Sequence, residues 1–236
     1  MPVTLSAAST LDLWQSAEEL TEVERPLALA AAVSGEPVEE LARLPIGQRD
    51  ARVLELHTAL AGQELEATAA CPACAEPAEF AVGVAGLLAR DRARAAPEPV
   101  EAGGVVVAFR PPDSLDVAAA AAADSQAAAE RALLSRCVES DELTAVQRAA
   151  VAAAMADSDP LAEILVDVTC PVCDTRFVAD LDLGTFVWAE LRARALRLLH
   201  DVDTLARAYG WTEAEVLAFD ERRRTMYVEL AREGAR

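Results

Sequence analysis

Apolar residues recur every three or four positions through the first quarter of the chain, which is the spacing of one face of an α-helix. Residues 11–62 are therefore predicted to form helices. Pro26 and Pro37 are placed to open helices, because proline is tolerated in a first turn, and Gly35 is placed to end one. The run Pro45–Gly47 predicts a turn before a further helix.

The period of the pattern changes around two Cys-Pro-x-Cys motifs. Residues 65–69 alternate between apolar and polar before the first motif, and residues 80–84 alternate after it. Residues 164–168 and 177–183 alternate in the same way around the second motif. Alternation with a period of two predicts strands, so each motif is expected in a tight turn between two strands.

The segment between the two motifs is predicted to be mainly helical. Residues 90–104 are rich in alanine, proline and charge, which favours a loop or linker, and residues 105–109 predict a short strand. Helices are expected over residues 118–138 and 143–156. Asp159-Pro160 then interrupts the helical pattern.

The C-terminal quarter returns to helical spacing. Apolar residues from Val187 to Leu205 mark a long amphipathic helix that Gly210 can terminate. Thr212 and Glu215 have the spacing of a capping box, which predicts the start of another helix. Asp220 is a candidate cap for a last one.

The charge of the chain narrows the range of partners. Its 236 residues carry a formal net charge of −19, with 40 acidic residues against 21 basic ones. Such a surface repels phosphate backbones and anionic lipids, so no nucleic-acid or membrane partner is expected. We find no pattern of a signal peptide and no run of ~20 apolar residues, and expect a cytoplasmic protein.

Four of the five cysteines form two matched pairs, Cys71 with Cys74 and Cys170 with Cys173. In a reducing compartment, paired cysteines favour metal binding over disulfides. A tight turn directs both sulfurs of a pair to one side, and zinc in a closed structural site takes four such ligands. We therefore predict one structural Zn²⁺ bound by these four residues.

A dithiol oxidoreductase is the rival interpretation of the same motifs. Redox Cys-x-x-Cys pairs lie at a strand-to-helix junction, where the helix N-terminus lowers the pKa of a thiol. Both pairs here are followed by strand patterns, which favours zinc.

The repeated pattern defines the predicted architecture. Helix, strand, Cys-Pro-x-Cys, strand and apolar segment occur in this order over about residues 48–88 and again over about residues 143–191. The predicted fold is α+β and mainly helical, with two pseudo-symmetric hairpins forming a split zinc ribbon surrounded by helices. Its regions are an N-terminal helical region (1–62), a first zinc-ribbon hairpin (63–89), a mainly helical insertion (90–163), a second zinc-ribbon hairpin (164–184) and the C-terminal helices (185–236).

The remaining reactive side chains do not assemble into a recognisable active site. Cys137 lies on a helical pattern without an evident base and is expected to be a buried free thiol. His57 and His200 lie on predicted helices and are interpreted as satisfied core or interface residues. The sequence has no Gly-rich phosphate loop and no Gly-x-Ser-x-Gly motif, so no enzymatic activity is expected.

The C-terminal segment offers a candidate partner surface and an alternative function. Residues 205–220 have the rhythm of a helix-turn-helix, so a zinc-ribbon regulator that binds nucleic acid through these helices is the alternative. Aromatic and arginine residues dominate binding energy at interfaces, and both types concentrate here. The predicted partner-binding residues are Tyr209, Trp211, Arg222, Arg223, Arg224 and Tyr227.

In the order of its motifs, the chain resembles the T4-like baseplate hub assembly chaperones, which are encoded beside contractile phage tails and phage-like contractile injection systems. The resemblance covers about residues 41–230. It rests on the ordered segments LARLPIGQRDARVLELHTALAG, CPAC with Phe80 downstream, RPPDSLD, LLSRCV, DP before a strand, CPVC and AYGWTEAEVLAFDERRRTMYVE.

The resemblance implies a non-enzymatic assembly factor whose partner is a baseplate or hub protein of a contractile particle. Three structural features distinguish this function from the two alternatives. An uncharged or acidic groove lined by helices favours the assembly factor. A basic face around Arg192, Arg194, Arg197 and Arg222 to Arg224 favours the nucleic-acid regulator. A Cys-x-x-Cys at a helix N-terminus favours the oxidoreductase.

Overall fold

The computed structural model describes residues 5–139 and 143–234, and helices dominate this part of the chain. The helices are α1 (Ala7–Glu18), α2 (Glu24–Ser34), α3 (Val38–Leu41), α4 (Ile46–Leu60), α5 (Val84–Arg92), α6 (Ser114–Ala121), α7 (Gln126–Cys137), α8 (Ala145–Ser158), α9 (Leu183–Tyr209), α10 (Glu213–Leu217) and α11 (Glu221–Gly234). The strands are β1 (Glu64–Ala70), β2 (Pro77–Gly83), β3 (Val100–Ala102), β4 (Val105–Val107), β5 (Leu165–Thr169) and β6 (Arg176–Asp180). The strands form three separate antiparallel hairpins, β1–β2, β3–β4 and β5–β6. The fold is therefore mixed α+β and mainly helical, as predicted.

The two cysteine-bearing hairpins form where the sequence predicts them. Their strands end sooner than expected, however, because Val84 and Leu183 begin helices instead of continuing β2 and β6. Asp182 caps the second of these helices, since its side chain accepts a hydrogen bond from the Thr185 N–H. Val84 and Leu183 are both buried, so the alternating pattern predicts the burial of these two residues correctly but not their helical backbone.

Helix α9 organises the helical part of the molecule. Its 27 residues contact α1, α2, α4, α10 and α11. Val187 and Leu191 are fully buried against residues of α2 and α4, including Leu29 and Leu56. The apolar stripe along α9 therefore has partners on several helices, and its burial is the main source of stability in this region.

A second apolar cluster joins the hairpins to the helices. Leu54 of α4 and Leu65 of β1 pack in one cluster with Leu161, Ile164 and Leu183, which flank and follow the second hairpin. All five side chains are at most 2% exposed. The two hairpins thus share one core with the helices and are held side by side by it.

The insertion contains more regular structure than its sequence predicts. The composition of residues 90–104 predicts a loop, yet α5 continues to Arg92 and β3 pairs with β4. Gly103 and Gly104 both have positive φ, at 61° and 77°, as a two-residue type I′ turn requires. The single helix expected over residues 118–138 is instead two helices, because Ser125 caps a new one at α7.

A buried carboxylate holds the insertion together. Asp116 is fully buried and accepts hydrogen bonds from Arg110 at 2.5 Å and Arg136 at 2.7 Å. It also accepts the backbone N–H of Asp113, completing a capping box for α6. These donors hold the pKa of Asp116 far below its ordinary value despite its burial. The carboxylate is fully paired and so is a structural element of the insertion.

The predicted helix boundaries of the C-terminal quarter are confirmed. Gly210 ends α9 in the left-handed conformation, with φ 71°. Thr212 and Glu215 form the reciprocal hydrogen bonds of a capping box at α10. Asp220 accepts the N–H of Arg223 at the start of α11. Within residues 5–139 and 143–234, no helix combines the length and apolarity needed to cross a membrane.

Candidate metal centre

The two Cys-Pro-x-Cys turns have the same backbone geometry. Cys71 donates its N–H to the carbonyl of Glu76 at 2.9 Å, and Cys170 donates to Thr175 at 2.9 Å. The residue after the second cysteine of each pair has a positive φ, 62° at Ala75 and 58° at Asp174. A left-handed residue at this position lets the chain reverse within a tight turn. The internal repeat seen in the sequence is thus a repeat in structure.

The shared core brings the four predicted ligands into one cluster. The Sγ atoms of Cys71 and Cys173 lie 3.6 Å apart, and those of Cys74 and Cys170 lie 3.7 Å apart. All four Sγ atoms fall within 4.8 Å of one another. A tetrahedral ion with Zn–S bonds of ~2.3 Å requires S–S separations of about 3.8 Å. The cluster therefore has the size and donor set of a metal site.

The site lies at the edge of the protein, with one face closed and one open. Cys71 and Cys170, the first cysteine of each pair, are at most 2% exposed, whereas Cys74 and Cys173 are exposed. Behind the turns, buried Val168 and other apolar residues of the four strands pack the hairpins together. The backbone N–H of Val172 donates a hydrogen bond to Cys170 Sγ at 3.5 Å and holds that sulfur in place.

The two exposed thiols of the cluster have pKa values shifted in opposite directions. Hydrogen bonds from the hydroxyl and backbone of Thr175 lower the pKa of Cys173 to about 6. The Glu76 backbone favours the thiolate of Cys74, but the neighbouring thiols and burial raise the pKa of Cys74 to about 12. A divalent cation removes this conflict, since it stabilises all four thiolates together.

The remaining predicted reactive residues lie outside the cluster. Cys137 is a buried free thiol, and burial raises its pKa to about 12. His57 is fully buried; burial opposes its charged form, but the Glu190 carboxylate outweighs this and raises the pKa of His57. His200 is exposed and contacts Arg232. Among the described residues, only the four-cysteine group has metal-binding geometry.

The aromatic residues of the predicted partner surface pack mainly on one another. Tyr209 stacks on Trp211 with ring centroids 4.6 Å apart, and Tyr227 meets Trp211 edge-on at 4.9 Å. Arg223 lies over the Phe219 ring at 4.7 Å. Tyr209 remains 42% exposed and Arg222 is exposed. The cluster packs the corner between α9 and α11, and its outer side is exposed to solvent.

The prediction that Arg224 belongs to this surface is wrong. Arg224 is 5% exposed, donates to Asp201 at 3.1 Å and donates to the carbonyl of Phe219 at 3.2 Å. Of three consecutive helical residues, one has to face the neighbouring helix, and Arg224 does so one turn before buried Val228.

Half of the basic face considered for nucleic-acid binding is neutralised. Arg192 lies 3.8 Å from Glu18, Arg194 pairs with Glu221 at 3.1 Å, and Arg224 is paired inside the protein. The other three arginines, Arg197, Arg222 and Arg223, are exposed and form no ion pair among the described residues. Ion pairing therefore reduces the positive charge that a phosphate backbone would meet on this face.

Sequence reasoning missed one feature, a cleft lined by helices and carboxylates beside the start of α9. Its lining comes from distant parts of the chain, including Glu22, Asp50, Asp157 and Asp182. No local pattern brings such residues together, so single-sequence analysis contains no signal for it.

Comparisons of the chain with protein-family models, curated proteins and solved structures give no match.

Proposed function

We propose that this chain is a non-enzymatic, zinc-stabilised assembly factor for the baseplate hub of a contractile tail or injection particle. One observation carries the proposal. The two Cys-Pro-x-Cys turns lie against each other although 96 positions separate Cys74 from Cys170. These turns form one four-sulfur site and so tie the two halves of the chain together.

Zinc is the ion that best fits the donor set. Four thiolates at tetrahedral spacing select zinc or an iron–sulfur centre over hard cations such as Mg²⁺ or Ca²⁺. Four protein ligands fill the coordination shell and leave no position for a reacting water, which favours a structural site. The two hairpins would then form the split zinc ribbon expected from the sequence.

A binding function is supported by the helix-lined cleft. Seven of its lining residues are acidic and three are arginines, so it is an acidic groove lined largely by helices. That is the feature expected of an assembly factor and not of a nucleic-acid regulator. The ordered motifs shared with the hub chaperones supply the proposed client, and the proposed compartment is the cytoplasm.

Neither alternative function is favoured by a specific observation. Both cysteine pairs lie in turns between strands, away from helix N-termini that would lower a thiol pKa for redox chemistry. Half of the arginines of α9 and α11 are in ion pairs, and the net charge of −19 opposes DNA binding.

The client assignment is tested in cells that express the neighbouring tail genes. Deleting this chain should reduce the number of complete particles counted by electron microscopy, and restoring it should rescue them. The tagged chain should also capture a hub or baseplate protein from the same cells. Normal particle numbers after deletion, together with no captured tail protein, would reject the proposed client.

A further inference from the structure

A cleft of about 1120 Å³ separates the helices of the insertion from the start of α9. Its lining comes from α6, α7 and α8, from the end of β6 and the start of α9, from residues near the start of α2, and from α4 and α5. Its volume lies just above the range for small-molecule pockets, which is ~300–1,000 Å³. The space suits a segment of polypeptide better than a small ligand.

The rim of the cleft carries negative charge that the chain leaves unpaired. Five of its carboxylates are exposed and form no salt bridge among the described residues: Glu22, Asp157, Glu163, Asp180 and Asp182. The arginines are committed elsewhere. Arg49 is buried against Asp50 at 2.7 Å, Arg94 pairs with Asp91 at 2.9 Å, and Arg90 donates to the carbonyl of Pro160.

A buried carboxylate that lines the cleft also has one oxygen without a hydrogen-bond donor. Asp159 is 1% exposed and its Oδ2 accepts a hydrogen bond from the Gly47 N–H at 2.9 Å. Its Oδ1 has no hydrogen-bond partner among residues 5–139 and 143–234. An unsatisfied buried acceptor costs about 1–3 kcal/mol, and Asp159 adds one such acceptor to the negative charge of the lining.

The part of the lining that comes from α6, α7 and α8 is apolar except for Asp157. Val117, Leu133 and Met155 are half-buried, and the small residues Ala121, Ala152 and Ala156 are exposed between them. Small side chains leave room for a ligand to approach the helix backbones. The cleft therefore offers an apolar wall and a carboxylate rim at the same time.

We infer that this cleft binds a cationic, amphipathic segment of a partner protein, with its apolar side on the insertion helices and its arginines or lysines on the carboxylate rim. Charge complementarity selects this occupant, because nucleic acid and anionic lipid are repelled by the rim. The carboxylates do not converge on a metal-binding geometry, since only the four cysteines do so in the described parts of the chain. The inference rests on the proposed function only in that the segment would belong to the client.

The probe is a fluorescein-labelled helical peptide of about 15 residues with leucines on one face and arginines on the other. Its fluorescence anisotropy is titrated with the full-length zinc-loaded protein. A matched peptide with glutamate in place of arginine should not bind. Binding of the arginine peptide should weaken steeply with added salt.

Paired variants locate the site. Asp157→Asn with Glu163→Gln should weaken binding of the arginine peptide by about tenfold or more. The control, Glu66→Gln with Glu79→Gln, makes the same charge change on exposed residues of the first hairpin that do not line the cleft, and should alter affinity less than about twofold. Zinc content and thermal melting establish that both variants are folded.

Two results would overturn the inference: equal weakening by both double variants, or equal binding of the two peptides. A wrong client assignment would give a different experimental result. If the arginine peptide binds at the cleft but no tail protein is captured, the cleft assignment stands and the hub client is wrong.

Discussion

Asp159 accepts the backbone N–H of Gly47 at 2.9 Å although 112 positions separate the two residues. Helix α4 has no side-chain cap from Pro45, its own N-terminal neighbour. Asp159 follows α8, so the insertion supplies both the missing cap and a negative charge at the positive end of α4. The contact is close enough that a Cβ on Gly47 would collide with Asp159 Oδ1 and lie 2.9 Å from the Ala162 nitrogen.

Gly47→Ala is therefore expected to destabilise the protein by about 1–3 kcal/mol, through overpacking against Asp159 and the backbone. Helix propensity alone predicts the opposite, a gain of up to about 1 kcal/mol. Gly86→Ala is the matched control, because a Cβ on Gly86 in α5 would meet no neighbouring atom within 4 Å. Urea unfolding should move the two variants in opposite directions, and a shared direction would contradict the close approach.

Purified protein should contain about one zinc ion per chain. Cys170→Ser removes one of four thiolates and should release the metal and lower the melting temperature, as chelation does. Cys137→Ser should retain full zinc, because Cys137 lies outside the cluster. The measurements are elemental analysis under reducing conditions and thermal melting. Metal-free wild-type protein, or zinc retained at full occupancy by Cys170→Ser, would exclude the site.

Stability should depend on pH through Asp50. Burial raises its pKa to about 6, even though Arg49 opposes the shift. Between the unfolded pKa near 4 and the folded value, the folded chain binds more protons, so stability rises as pH falls. The free energy of unfolding should increase by about 1 kcal/mol from pH 7.5 to pH 5.5 through this group.

Asp50→Asn isolates that contribution. His57 also has a raised pKa and changes stability in the same direction, but it is present in both proteins and cancels in the difference. The unfolding free energy of the wild-type protein minus that of Asp50→Asn should therefore fall as pH rises, by the amount that Asp50 contributes. A difference independent of pH would show that Asp50 has an ordinary pKa.

The arginines of α11 should separate into surface and core residues. Replacing exposed Arg222 and Arg223 by glutamate should leave the unfolding free energy within about 1 kcal/mol and abolish rescue of particle assembly. Arg224→Ala should instead destabilise by about 2 kcal/mol or more, because it leaves the Asp201 carboxylate without its partner. Unimpaired assembly with the double variant would place the client surface elsewhere.

Binding to duplex DNA at physiological salt should be weak, with no gel shift at sub-micromolar protein. The net charge of −19 opposes the approach of phosphate, and the arginines of α9 and α11 that are already in ion pairs would neutralise few phosphates and so release few of the counterions condensed on DNA. A shift that disappears in Arg222→Ala with Arg223→Ala would instead support the nucleic-acid regulator.

The metal cluster could be predicted from sequence because its signals are local and repeated. Each Cys-Pro-x-Cys lies between alternating segments, and four equivalent ligands in two matched turns imply that the turns meet. The strand ends are harder to place because Val84 and Leu183 are buried in either structure, so hydrophobic alternation cannot distinguish the last strand residue from the first helical one.

Features that depend on distant contacts could not be predicted. Nothing within Arg222 to Arg224 indicates which side chain faces α9, because that depends on the packing of Val228 and Asp201. The acidic cleft likewise joins residues from across the chain. Strand β4 lies within the short strand predicted over residues 105–109, but its partner β3 is not predicted, because the strong turn signal of Gly103-Gly104 lies in a segment whose composition is typical of a linker.

Because the two cysteine turns are far apart along the chain, the first is synthesised well before the second. During synthesis at ~5–20 residues per second, Cys74 leaves the ribosome roughly 5–20 s before Cys170, which follows it by 96 positions. For that interval the first turn has only two thiols to offer, and a two-ligand site does not close the shell of a structural zinc. A metal ion bound by all four cysteines could therefore load only after most of the chain has been translated, and a truncated product that ends before Cys170 could not complete the four-sulfur cluster.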